Sequence, residues 1–349
     1  MEKKLKVAVL LTNSYLTSYG GIGPFVRNLD IDLRNYFDLH YFFLPEHLEK
    51  VKLIPHRLLF VFFLLKNFRR LSKTDLIVSH SPEGSYVASY TSTPLVHIFH
   101  GNTNPMEISR FSFGKYLRWV FDYMNQVIYS KSFLLYSVGE KREGTKKFVN
   151  PISHEVMVKN PESREGFIFA GRLEKGKCVP KIIESYACLP KEVRANHKLY
   201  IAGSGSEFGN LKELAKSMDL ASQVVFLGNM DNRSLIEVTS KRKMLLMASA
   251  FEGFPMAIAE ALSVGVPVVS TAVGDIPQFV ESGYCGLLYP VDFLPEDYAR
   301  GILSILDDYE NYSKNALEAS RPFDAKEVTR KFAEEVLSGL KTASLSKVA

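Results

Sequence analysis

The sequence predicts an α/β protein built as two doubly wound domains, each a parallel sheet covered by helices, facing one another across a cleft. Three observations carry this expectation. The chain has 349 residues, beyond the size at which a single hydrophobic core usually stops growing. Short apolar runs alternate with longer segments of helical period, the pattern of parallel strands joined by covering helices. Several of these runs lead into glycine-bearing loops, and ligands of such sheets bind beyond the carboxyl ends of the strands.

In chain order, strands of the first half are expected at Val7–Leu11, Asp38–Phe43, Asp75–Ser79, Leu95–Phe99 and Phe133–Val138. Those of the second half are expected at Gly166–Ala170, Lys198–Ala202, Val224–Leu227, Met244–Met247 and Val266–Ser270. The polar stretch Lys159–Glu165 reads as the linker between the two series. Domains are therefore expected at residues 1–160 and 161–322, followed by a terminal segment at 323–349. In that segment Phe323, Val328, Phe332, Val336 and Leu340 offer an apolar helical face.

Apolar residues make up 46% and charged residues 23% of the chain, which excludes a disordered or low-complexity protein. Cys178, Cys188 and Cys285 have neither metal-ligand spacing nor an even framework, so buried, reduced thiols of a cytoplasmic protein are expected. Met1–Lys6 leads straight into a strand with no secretory cleavage signal, which agrees with a cytoplasmic location.

The net charge of +5 is uneven, with 21 Lys and Arg against 13 Asp and Glu in residues 1–160. Within that half Leu58–Leu65 is wholly apolar and is flanked by His56, Arg57, Lys66, Arg69, Arg70 and Lys73. It is too short to span a bilayer, which takes about 20 residues. Two readings remain: residues 56–73 lie in the interface of an anionic membrane, at its cytoplasmic face, or they form a buried helix with solvated basic ends. The aromatic and basic stretch 110–119 has the same character and also suits an acceptor groove. No recognition-helix or stacking pattern supports nucleic acid as a partner.

The candidate chemistry lies in the loops. Tyr19–Phe25 contains Gly20, Gly21 and Gly23, where backbone N–H groups can approach an oxyanion, although a tight turn explains the same residues. Arg172, Lys175 and Lys177 follow one strand beside Gly171 and Gly176 and suit a diphosphate, the alternative being a solvated basic turn. Gly203–Gly205 reads as structural. The richest stretch places Glu252 and Gly253 on a loop, Pro255 at a helix start and Glu260 along that helix. The unpaired N–H groups of such a start attract anions, and the two acids can each hold hydroxyl groups. Asp30-Ile31-Asp32 has the form of a metal-binding acid pair but falls within a predicted helix, so it is read as solvated helix surface and no metal is expected.

Together these stretches, with the strand end Pro94–Gly101, Phe226-Leu227-Gly228, Gly265–Ser270 and Gly283–Leu288, resemble the GT-B glycosyltransferases of family 4 over nearly the whole chain. Their domains are Rossmann-like, which agrees with the doubly wound pattern above. The resemblance implies a retaining, metal-independent transfer of sugar from a nucleotide donor, with no cofactor and with UDP-sugars favoured. It implies that Arg172 and Lys175 or Lys177 neutralise the diphosphate, with Lys175 preferred for its place in Glu-Lys-Gly. Glu252 would hold sugar hydroxyls, Glu260 the ribose, and the N–H groups around Phe254, Met256 and Ala257 would face the donor. Gly21 and Gly23 would approach the phosphates, and His100 would sit near the transferred sugar. His97, an odd number of strand positions away, would face the other side. The basic, apolar first domain points to a glycan or lipid-linked precursor of polysaccharide or glycolipid as acceptor, and by analogy of fold the final helix would return to the first domain. A sugar-nucleotide 2-epimerase of the same fold and a nonenzymatic sugar-nucleotide-binding protein are the competing readings.

Overall fold

The computed structural model describes residues 4–12, 22–51, 54–100, 118–138, 142–152, 163–253 and 255–345. The chain forms two compact units, Met1–Pro151 with Ala325–Ala349, and Ile152–Asp324. The boundaries thus fall before residue 152 and after residue 324, where the sequence reading set them after 160 and after 322. The described part of the expected linker is not loose. Arg164 donates to the carbonyl of Gly265 and, over 3.0 Å, to the Tyr309 hydroxyl, which ties it into the second unit.

The first unit runs β1 (Leu5–Leu10), α1 (Ile22–Leu33), β2 (Phe37–Phe42), α2 (Glu46–Glu49), α3 (His56–Lys66), α4 (Phe68–Leu71), β3 (Leu76–Ser79), α5 (Pro82–Ala88), β4 (Leu95–His100), α6 (Arg118–Lys131), β5 (Leu134–Val138) and β6 (Lys146–Phe148). Its sheet is ordered β2-β1-β3-β4-β5-β6 and is parallel throughout. Alternate residues of each strand face opposite sides. On one side Val7, Val9, Val96 and Ile98 pack with Phe25 and Val26 of α1. On the other Ala8, Leu10, Ile77 and Leu95 pack with Phe60 and Leu64 of α3 and Val87 of α5.

The second unit runs β7 (Phe167–Ala170), α7 (Val179–Ala187), α8 (Lys191–Asn196), β8 (Leu199–Ala202), α9 (Phe208–Ser217), β9 (Val224–Gly228), α10 (Asn232–Ser240), β10 (Met244–Leu246), α11 (Met256–Ser263), β11 (Val268–Thr271), α12 (Ile276–Phe279), β12 (Gly286–Tyr289), α13 (Pro295–Asp307) and α14 (Tyr309–Ala319). Its parallel sheet is ordered β12-β11-β10-β7-β8-β9. The chain winds outward from β7 to β9 and then restarts on the other side of β7 at β10. Such a reversal opens a crevice at the carboxyl ends of the two strands, where ligands of doubly wound sheets bind.

The last helix, α15 (Ala325–Leu345), belongs to the first unit. Its Val328, Phe332 and Val336 enter the core beside β1 and β4. Phe323 does not share that face; it is buried in the second unit against the ring of Phe279. All ten expected strands are present, and β6 and β12 are additional. Both new strands are short edge strands; β6 begins with two lysines, and β12 has only three apolar residues after its glycine.

Candidate active site

In the second unit β7 ends at Ala170, and the chain passes Gly171 and Arg172 into a 3-10 turn at Lys175–Lys177. Gly171–Leu173 is held from behind by the loop after β8. Gly171 N–H donates to Ala202 over 3.0 Å and Leu173 N–H to Ser204 over 2.9 Å. At Gly203, with φ +140°, a Cβ would lie 1.8 Å from the Gly171 carbonyl oxygen, so this glycine serves close backbone approach.

The loop leaving β10 meets the turn leaving β7. Ala250 N–H donates to the Gly176 carbonyl over 2.9 Å. Lys177 forms an ion pair with Glu252, whose Oε1 also accepts from Ser249 Oγ over 2.8 Å. The two ionic side chains keep only 20% and 10% of their exposure, so their charges are largely removed from solvent. The Glu252 backbone is backed in turn by Gly274, which has φ +56°. A Cβ there would meet the Glu252 carbonyl oxygen at 2.0 Å.

The other candidate cations stand in solvent. Arg172 keeps 76% of its side-chain exposure and pairs with Glu174 at 3.0 Å, and Lys175 is exposed. The lysine joined to Glu252 is therefore Lys177, while Lys175, preferred from the Glu-Lys-Gly sequence as the diphosphate lysine, is exposed. The 3-10 turn explains this, since it points residues 175 and 177 to different sides.

Glu252 and Gly253 lie on the loop, and Gly253 accepts from Asp275 N–H over 2.9 Å. Phe254 lies outside the described residues. Pro255 is the extended residue that precedes α11, not its first helical residue. The helix begins at Met256, so the N–H groups of Met256 and Ala257 belong to a first turn that has no intrahelical acceptors for them. Glu260 follows one turn later, buried, and accepts from Asn232 Nδ2 over 2.6 Å. Burial pushes its carboxyl up to about 7, against the opposing effect of the Asn232 hydrogen bond.

In the first unit Gly21 lies outside the described residues, and Gly23 is buried in the first turn of α1 rather than on a loop. His100 is the last residue of β4, with its Nε2 2.9 Å from Nδ1 of His80. The ring of Phe25 meets it edge-on, centroids 4.9 Å apart. His97 is buried on the opposite side of the strand, with Nδ1 2.6 Å from Ser85 Oγ. Burial lowers both imidazoles to about 3, so they are neutral near pH 7.

Three expectations are corrected here. Asp30 is not solvated helix surface: its side chain is 15% exposed, and it accepts from the Tyr41 hydroxyl and, over 3.1 Å, from Arg34 Nε. The thiols are not all buried, since Cys188 is exposed and Cys178 partly so. Helix α3 is neither wholly buried nor wholly surface. Phe60 and Leu64 are in the core, whereas Leu58, Phe62 and Leu65 are exposed along its outer side, 46%, 58% and 52%. Of residues 110–119 only Arg118 and Trp119 are described, and Trp119 is exposed. No helix among the described residues is long and apolar enough to cross a membrane. Nor do the described residues include a group of three His, Cys, Asp or Glu able to hold a metal ion.

The segment that contains the β7–β10 crevice also carries a family signature. Residues 154–321 match the glycosyl transferases group 1 family. The N-acetyl-alpha-D-glucosaminyl L-malate synthase of Bacillus anthracis is 33% identical over 130 residues, 37% of this chain and 33% of the relative. The lipopolysaccharide 1,6-galactosyltransferase of Escherichia coli K12 is 29% identical over 168 residues, 46% of this chain and 44% of the relative. The chain thus spans less than half the length of these curated relatives. Among solved structures, a sucrose-phosphate synthase from Thermosynechococcus elongatus aligns with a TM-score of 0.75 at 16% identity, over 97% of this chain and 100% of that one. Anabaena HepE in complex with UDP aligns with a TM-score of 0.70 at 19% identity, over 96% and 100%. The family match lies within residues 154–321, and the likeness of fold extends over nearly the whole chain.

Sequence reasoning named Arg172, Lys177, Glu252 and Glu260 but missed Asn232, Gly274 and His80. His80 had a signal: like His100 it lies at the carboxyl end of a strand, where side chains reach the binding edge of a sheet.

Proposed function

We propose that the protein is a retaining, metal-independent glycosyltransferase of family 4 that moves a sugar from a nucleotide donor to a glycan or lipid-linked acceptor. The observation that carries this reading is the Lys177–Glu252–Ser249 cluster at the β7–β10 crevice, one short segment before the start of α11. A diphosphate laid there meets Lys177, the nearby Arg172 loop and the N–H groups of the α11 first turn. Cationic groups at the departing phosphate stabilise the charge that develops as the glycosidic bond breaks. They do so without a metal ion. Glu252 then accepts from sugar hydroxyls, Glu260 holds the ribose, and His100 contacts the transferred sugar. The acceptor hydroxyl attacks from the face that the leaving group departs, and the donor phosphate helps to take its proton.

UDP is the favoured leaving group, a choice supported by the UDP complex of HepE. A lipopolysaccharide-directed relative supports the acceptor class. The exposed side of α3, with Lys66, Arg69, Arg70 and Lys73 close to it in sequence, supports a working location at the cytoplasmic face of an anionic membrane, where such acceptors reside. The test is turnover of radiolabelled nucleotide sugars by wild type, Glu252→Ala and Arg172→Ala, with folding checked by circular dichroism. Loss of transfer in folded variants is expected. Full activity in either one removes the assignment.

A further inference from the structure

We propose that Asn232 is a positioning residue for the donor nucleoside. By holding one carboxylate oxygen of Glu260 it aims the other at the ribose hydroxyls, and so sets how strongly the site distinguishes a ribonucleotide from one that lacks them. This deepens the reading above and rests on it for the role of Glu260 itself.

Glu260 is 5% exposed and is flanked along α11 by Ala259, Ala261 and Leu262, all fully buried. Asn232 Nδ2 donates to its Oε1 over 2.6 Å, from a residue 28 positions away on α10. Among the described residues this is the one hydrogen bond of the Glu260 side chain. An ionised carboxylate only accepts, through two oxygens with two lone pairs each. One donor is too few for a buried charge, and burial outweighs the Asn232 bond in holding the carboxyl up at about 7. A vicinal diol supplies two further donors. With Oε1 tied to Asn232, the plane of the carboxylate is fixed and Oε2 is the oxygen left to meet them.

Asn232 is well placed to fix that plane. It is the first residue of α10, and the turn around it is held by Asp231, whose Oδ1 accepts from Ser234 N–H over 3.0 Å and whose Oδ2 accepts from Ser234 Oγ over 2.6 Å. Asp231 thus caps the helix, and the Asn232 amide is not needed for that task. Nor does Asn232 belong to the core, being half-buried. Its chemistry suits the role. An amide donates without carrying charge, so it orients Glu260 and leaves the negative charge to the ligand, where a lysine would neutralise it.

The experiment is calorimetric titration at pH 8 of UDP and of 2′,3′-dideoxy-UDP into wild type, Asn232→Ala, Asn232→Asp, Glu260→Ala and the Asn232→Ala/Glu260→Ala double variant, each checked for folding by its melting temperature. Wild type should prefer UDP by about 10-fold or more, the scale of a hydrogen bond to a charged group. Asn232→Ala should weaken UDP by about 10-fold and leave the dideoxy form within about 2-fold. Asn232→Asp keeps the size of the side chain and suits the first turn of a helix, but sets a like charge against Glu260, so it should lose at least as much. In the Glu260→Ala background Asn232→Ala should add nothing, because it acts through that carboxylate. An Asn232→Ala protein that discriminates as well as wild type overturns the proposal. Equal losses for both nucleotides, or additive losses with Glu260→Ala, do the same. A wild type that binds both nucleotides equally overturns instead the ribose role of Glu260, and the proposal with it. Ribose is common to every nucleotide donor, so the same pairs made with GDP and ADP apply the test if UDP is not the nucleotide bound.

Discussion

Cys178 follows Lys177 directly and adopts a left-handed backbone, φ 49° and ψ 37°, at the residue before α7. An L side chain there costs roughly 1–2 kcal/mol, and a glycine costs about 0.5–1 kcal/mol through the greater freedom of the unfolded chain. Cys178→Gly should therefore raise the stability of the second unit by about 0.5–1 kcal/mol. Urea denaturation should show a higher midpoint at unchanged slope. Glu260 makes the opposite kind of contribution. Its buried carboxyl protonates at about 7 in the folded protein, against about 4.3 in an unfolded chain. The stability present below the unfolded value is lost as pH rises through that window, because the unfolded chain ionises first. The loss is on the order of 3 kcal/mol. Glu260→Gln should flatten stability between pH 4.5 and 7 as measured by urea midpoints, and should weaken nucleotide binding at pH 8. A Gln variant with the wild-type pH dependence would place the proton elsewhere.

At the level of elements, the outer side of α3 repeats Leu58, Phe62 and Leu65 at helical spacing, while Phe60 and Leu64 hold the helix to the sheet. The exposed stripe is separable from the fold, so Phe62→Ser with Leu65→Ser should leave the melting temperature nearly unchanged. The same pair should reduce flotation with anionic liposomes. Wild type that fails to float argues for an acceptor in solution. Elements were also where the sequence was most readable. Val7–Leu11 and Gly166–Ala170 are near-continuous apolar runs, the usual appearance of buried parallel strands. Glu252 and Glu260 were visible because a carboxylate beside a loop-to-helix junction stands out. Which of Lys175 and Lys177 pairs with Glu252 was not visible, since it depends on the winding of a three-residue turn. Asn232 and Gly274 were hidden for another reason. Each acts on a residue more than twenty positions away, on Glu260 and Glu252 respectively, and only the winding of the sheet brings them there.

Over the whole molecule, two sheets with different strand orders each place their polar residues at the carboxyl ends of the strands. In the second unit the reversal between β7 and β10 brings the cation of one loop to the carboxylate of the other. In the first unit neighbouring strands β3 and β4 deliver His80 and His100 to the same edge. The chain also folds α15 back into the first unit, so the core of that unit is closed by its two ends. The central claim is that the β7–β10 crevice holds the donor diphosphate through Lys177. Calorimetric titration of UDP into wild type, Lys177→Ala and Lys175→Ala tests this most directly. The account predicts binding by wild type, a loss of at least about 10-fold in affinity, or 1.4 kcal/mol, for Lys177→Ala, and little change for the exposed Lys175→Ala. Equal affinity of wild type and Lys177→Ala for UDP would contradict it.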